Sequence, residues 1–258
     1  MPKVTVGNAT VPYRVEGSGP ALVLVHGVGP GSAMWDQMLD RFTDHRTVVL
    51  PDLSGSDPAR DDGSPLTIEG LGAQVNAVIE EAGTGLADVV GFSLGAPTAV
   101  AAAALRPDLV RRLAPVAGLS HAGDEYVRQH MTLWSSLAGS PESFGRFATL
   151  TAFSRAFLNR IGHDAVEQQH AFMDLNDDRL RQIDLVARLD IRPLLPRVAA
   201  PTLVIGATRD QTIPVENHRE LSAGISGSEY AELDTGHVAM AERPDEFVKL
   251  VRDFLDRP

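Results

Sequence analysis

The run Ala21-Leu22-Val23-Leu24-Val25 is apolar at every position and ends at His26-Gly27. A half-buried strand alternates apolar and polar residues, so an unbroken run belongs to a strand covered on both faces. The pattern recurs at Thr47-Val48-Val49-Leu50, ending at Pro51-Asp52, at Asp88-Val89-Val90, ending at Gly91, and at Thr202-Leu203-Val204-Ile205. Glu229-Tyr230-Ala231-Glu232-Leu233 reads as a further strand. Leu113-Ala114-Pro115-Val116-Ala117 is weaker, because its proline suits only an edge or a bend. Helical patterns separate these runs, which predicts an α/β fold: a mostly parallel central sheet with helices on both faces.

Ile68, Leu71, Val75, Val78 and Ile79 fall at helical spacing. Thr67 is the expected N-cap, although Gly70 rather than Glu or Gln fills the capping-box position. Leu94 to Leu105 is alanine-rich and stops before Pro107, a composition that can pack closely on a sheet. Phe247, Leu250, Val251, Phe254 and Leu255 predict a final amphipathic helix. From about Leu119 to Pro196 the strand pattern is replaced by helical segments. They hold Trp134 and five of the nine phenylalanines: Phe144, Phe147, Phe153, Phe157 and Phe172. The chain returns to the sheet through Pro193, Pro196 and Pro201. The organisation read from this is a core of residues 1–118 and 197–258, with residues 119–196 inserted as a helical lid. There is no internal repeat or low-complexity segment.

A chain of 258 residues is long enough to bury a substantial core. Its formal charge of −11 argues against nucleic acid or an anionic membrane as partner. No stretch reaches the roughly 18 apolar residues of a membrane helix. No long apolar run follows Lys3, so a secretory signal is not expected and the chain reads as cytoplasmic. The absence of cysteine removes disulfides, thiolate metal sites and a thiol nucleophile together. The oligomeric state is not legible at this level.

Gly91-Phe92-Ser93-Leu94-Gly95 joins a β-branched strand to the alanine-rich helix. In that strand–turn–helix setting a serine sits on a strained elbow with its Oγ exposed. A serine hydroxyl needs an adjacent base, and His237 stands in the loop after the last strand. Asp210 stands in the loop after the preceding strand. All three lie at C-terminal strand ends, the edge on which open α/β sheets place their sites. Asp234 is the rival acid, but three residues from His237 it suits the shaping of the turn better. His26-Gly27-Val28-Gly29-Pro30-Gly31 follows the first apolar strand. The N–H groups of Val28 and Leu94 are therefore assigned to an oxyanion hole. His26 reads as a hydrogen-bonded structural residue. His45, His121, His130, His163, His170 and His218 show no metal-ligand spacing and read as surface or lid residues. No metal or cofactor is implied.

These motifs resemble the α/β-hydrolase superfamily over nearly the whole chain except the lid. The markers are His26-Gly27, Asp52 with Ser54-Gly55-Ser56-Asp57, Gly91 to Gly95, Asp210 with Pro214, and Gly236-His237 with Glu242-Arg243-Pro244. The resemblance implies a serine hydrolase acting through an acyl-enzyme on a small-molecule substrate. A serine at position 93 separates the chain from haloalkane dehalogenases and epoxide hydrolases, which use aspartate there. The segment around Ser93 and Arg111-Arg112-Leu113 is similar to enol-lactonases and small esterases, and the aromatic and aliphatic lid makes a small, partly apolar ester, lactone or thioester the expected substrate. The glycine loop resembles that of meta-cleavage-product hydrolases, which implies carbon–carbon bond hydrolysis as an alternative. Some members of the superfamily are ligand receptors, an alternative of another class. Substrate contacts are expected from Trp134, Phe144, Phe147, Phe153, Phe157 and Val238.

Overall fold

A computed structural model describes residues 1–29, 31–172 and 175–257, with the side chains of 171 and 172 outside that description. Among these residues eight strands run in chain order: β1 (Lys3–Val6), β2 (Ala9–Gly17), β3 (Ala21–Val25), β4 (Thr47–Pro51), β5 (Ala87–Phe92), β6 (Val110–Val116), β7 (Leu203–Ala207) and β8 (Glu229–Leu233). They form one sheet of order β1-β2-β4-β3-β5-β6-β7-β8. β1, β2 and β4 pair antiparallel, and every pairing from β4 to β8 is parallel.

The unbroken apolar strands have the predicted cause. In β3, Val23 and Val25 enter one apolar cluster while Leu22 and Leu24 enter another on the opposite face. The first face is covered by α2 (Ile68–Glu81) and α3 (Gly95–Leu105), the second by the segment containing α1 (Asp36–Leu39) and by the amphipathic α11 (Pro244–Leu255). Thr67 caps α2 as expected, its Oγ1 accepting the Gly70 N–H at 3.1 Å.

Two elements differ from the sequence reading. The antiparallel β1–β2 pair was not anticipated, although Ala9, Val11 and Tyr13 are buried in strict alternation, the period of a half-covered strand. Pro115 lies on β6, an interior strand rather than an edge. The Leu113 and Ala117 N–H groups donate toward the β7 side, to Pro201 and Ile205. Pro115, between them, has no N–H to give. The β6–β7 ladder thins there to Val116↔Ile205 and a bridge at Leu113↔Thr202.

Between β6 and β7 the described residues form five α-helices: α4 (Glu125–Ser136), α5 (Pro141–Ala152), α6 (Arg155–Ile161), α7 (His163–Phe172) and α8 (Asp177–Ala187). Their neck is tied by Ala122 N–H to Leu189 O at 2.8 Å and Ile191 N–H to Ser120 O at 2.8 Å. The remaining helices are α9 (Val215–Gly224), after β7, and α10 (Ala239–Glu242), after β8. No described helix is long and apolar enough to cross a membrane.

Candidate active site

β5 ends at Phe92 and α3 begins at Gly95, so Ser93 and Leu94 alone make the turn. Ser93 is held at φ 55°, the left-handed region that side chains disfavour. Its N–H donates to Val116 O at 2.9 Å, and its carbonyl accepts from Ala96 N–H at 2.9 Å. The flanking glycines follow from close approach. A Cβ on Gly91 would overlap the Gly95 carbonyl, and one on Gly95 would overlap the carbonyls of Val25 and His26.

His237 reaches this serine from the loop after β8. Its Nδ1–H donates to Asp210 Oδ2 at 2.6 Å, which leaves Nε2 to accept from Ser93 Oγ–H at 2.9 Å. The Phe92 ring lies 4.9 Å from the imidazole, centroid to centroid. Asp210 Oδ1 accepts the Thr212 and Ile213 N–H groups at 2.8 and 2.9 Å. Burial alone would push this carboxyl up. The charge of His237, with its hydrogen bond and the approach of His218, overcomes that and holds it at about 2.

His218 corrects the reading of that residue as surface or lid. It is fully buried on α9, where its Nδ1 accepts the Ala207 N–H at 3.2 Å. Its Nε2–H stands 3.5 Å from Asp210 Oδ2, long for a hydrogen bond but close enough to favour the carboxylate. Nothing in the local sequence signals this. Asp234, the rival acid, is exposed and has no bond to His237 among the described residues. It accepts Arg209 Nη2–H at 2.6 Å and Thr208 Oγ1–H at 3.2 Å.

The loop after β3 packs against Ser93: a Cβ on Gly27 would stand 2.9 Å from the serine Cβ. His26 Nδ1–H donates to Gly27 O at 2.8 Å and Nε2 accepts the Leu53 N–H at 3.0 Å. Burial pushes its pKa down, so both bonds belong to the neutral ring of a structural residue. Asp52 Oδ1 accepts the Ser32 N–H at 2.7 Å, joining the loops after β3 and β4. Among the described residues neither the Val28 nor the Leu94 N–H donates to another residue. Pro30 of this loop lies outside the description.

The helices between β6 and β7 approach the same edge. The Val238 N–H donates to Ala152 O, at the end of α5, at 3.3 Å. Glu242 Oε1 and Oε2 accept the Ser154 N–H and Oγ–H, each at 2.6 Å. Trp134 meets Phe144 edge-on at 5.4 Å, and His130 lies 5.1 Å from Trp134 and 5.2 Å from Phe147. Phe153 and Phe157 stack separately at 5.0 Å. The predicted aromatic residues thus form two groups, and Phe172 falls outside the described side chains.

His130, read from sequence only as a surface or lid residue, is buried on α4. Burial, with His237 nearby, pushes its imidazole down to about 4, against an opposing pull from Asp210. The unfolded chain takes up this proton near pH 6.5 and the folded chain only near 4. Stability is therefore lost as pH falls through that window, by up to about 3 kcal/mol for this one group. His130→Phe should flatten the fall. Thermal melts of the two proteins between pH 7 and 4 should converge or cross, and parallel curves would contradict this.

Residues 22–250 match the model of the alpha/beta hydrolase family. The chain is an α/β-hydrolase. A pyrrolizixenacetamide deacetylase of Xenorhabdus hominickii is 38% identical to it, with 99% of this chain and 98% of the relative aligned. A pimeloyl-[acyl-carrier protein] methyl ester esterase of Xanthomonas oryzae pv. oryzae is 31% identical over 93% and 97%. In fold this α/β-hydrolase is similar to the crystal structure of an enol-lactonase from Burkholderia xenovorans LB400. The TM-score is 0.87 at 25% identity, covering 99% of this chain and 100% of that one.

Proposed function

We propose that this α/β-hydrolase is a serine hydrolase that cleaves a small, partly apolar carboxylic ester, lactone or thioester through an acyl-enzyme. The observation that carries the reading is the continuous hydrogen-bond chain Ser93 Oγ–His237–Asp210, 2.9 and 2.6 Å. His237 Nε2 takes the Oγ proton as Oγ bonds to the substrate carbonyl carbon. The carbonyl oxygen becomes an oxyanion held by the Val28 and Leu94 N–H groups. Its collapse expels the leaving group, which receives the proton from Nε2. Water, deprotonated by the same nitrogen, attacks the acyl-enzyme and releases the acid and Ser93. Asp210 keeps the proton on Nδ1 throughout.

Residues 119–196 serve as a lid in this reading. The apolar surface of Trp134, Phe144, Phe147, Phe153, Phe157 and Val238 receives the organic groups of the substrate. The deacetylase, methyl ester esterase and enol-lactonase named above are, by name, compatible with acyl transfer to water.

p-Nitrophenyl acetate tests the activity. Sustained release of p-nitrophenol over many equivalents of protein is expected. One equivalent followed by arrest would make the protein a receptor-like reactant, and none at all would remove the reading.

A further inference from the structure

Gln182, on α8, is the fully buried side chain that joins the helical insertion to the glycine loop after β3. Its Oε1 accepts the Gly29 N–H at 3.0 Å. That bond fixes the amide orientation, since only the oxygen can accept. Nε2 is therefore the other branch of the amide, and it has no hydrogen-bond partner among the described residues. A buried NH₂ group without an acceptor is costly, and native structures leave few of them unexplained.

The surroundings say where that donor stands. A Cβ on Gly55 would lie 2.7 Å from Gln182 Cγ and 3.2 Å from Cδ. The amide is thus wedged between the loops that follow β3 and β4, on the sheet edge that carries Ser93. Gly29 is the residue after Val28, so the Gln182 amide is anchored through its oxygen one residue from the assigned oxyanion hole. Sheet order separates the two halves of a substrate. β5, with Ser93, is central; β3 and β4 lie on one side, and β7 and β8, with Asp210 and His237, on the other. In the acyl-enzyme reading the leaving group takes its proton from His237, on the β8 side, and the β3 and β4 side, with Gln182, is the one left to the acyl group. The two arginines that flank Gln182 in the sequence of α8 are paired: Arg179 with Asp57 at 2.7 Å and Arg181 with Asp61 at 2.9 Å. A neutral amide whose flanking arginines on α8 are already paired suits an uncharged oxygen rather than a carboxylate.

We propose that Gln182 is a substrate-binding residue whose Nε2 donates to a second, uncharged oxygen of the acyl group, two or three bonds from the scissile carbonyl. The substrates preferred are then esters of oxygenated acids, carrying an ether or keto oxygen, over their all-carbon counterparts. This rests on the acyl-enzyme reading above.

The test compares p-nitrophenyl methoxyacetate with p-nitrophenyl butyrate, which differ by one oxygen in place of a methylene. The ratio of their kcat/KM values is divided by the ratio of their hydroxide-catalysed rates, which removes intrinsic reactivity. In the wild-type protein the quotient should be about ten, the effect of one hydrogen bond. Gln182→Glu keeps an acceptor for the Gly29 N–H but loses the donor, and Gln182→Leu loses both. Each should bring the quotient to within about twofold of one, and either variant suffices if the other does not fold. A wild-type quotient near one, or a quotient of ten that survives both substitutions, would overturn the assignment while fluorophosphonate labelling of Ser93 leaves the acyl-enzyme intact. A wild-type protein that neither labels nor turns over removes the acyl-enzyme reading, and this one with it.

Discussion

Ser93→Ala is expected to abolish covalent labelling by a fluorophosphonate and to lower kcat on p-nitrophenyl acetate by about a millionfold. That is the scale on which removal of the nucleophile from a serine protease acts, leaving the weak catalysis of binding and the oxyanion hole. The fold should not suffer. The N–H to Val116 and the carbonyl to Ala96, each 2.9 Å, are backbone bonds that alanine keeps. The left-handed φ of 55° strains alanine about as it strains serine. A circular dichroism melt near that of the wild type should accompany the loss. Labelling of the mutant at the wild-type level would mean that another residue is the nucleophile.

Asp210→Asn is expected to lower kcat by three to four orders of magnitude, about 4–5.5 kcal/mol of barrier. Asparagine can keep its oxygen toward the Thr212 and Ile213 N–H groups, which Asp210 Oδ1 accepts at 2.8 and 2.9 Å. The amide NH₂ then replaces Oδ2 opposite His237 Nδ1. Two donors cannot face each other, so the imidazole shifts its proton to Nε2 and can no longer accept from Ser93. Asp234→Asn should cost less than tenfold, because Asp234 is exposed and bound to Arg209. Both variants need a folding check before kinetics. If Asp234→Asn is the inactive one, the acid is misassigned, while Ser93 and His237 stand.

The central strands and their helical cover were legible because each depends on residues close in sequence. An unbroken run such as Ala21–Val25 can be stable only with apolar cover on both faces, and it has that cover. Gly91 and Gly95 mark the elbow because a Cβ at either meets backbone, a local steric fact independent of the rest of the fold. The tertiary structure decided what depends on residues far apart. Sequence left Asp234 as a rival acid; folding sent it to Arg209 and set Asp210, 27 residues from His237, against the imidazole. It put Pro115 on an interior strand, where the thinning of one ladder accommodates the missing N–H. It buried His218 behind Asp210 and brought Gln182 across 153 positions to the Gly29 N–H. No periodicity encodes such meetings: a polar side chain on a helix reads as surface until the packing of that helix removes it from water. Local sterics and hydrophobic cover therefore determined the sheet and the elbow, and long-range packing alone decided which polar groups surround them.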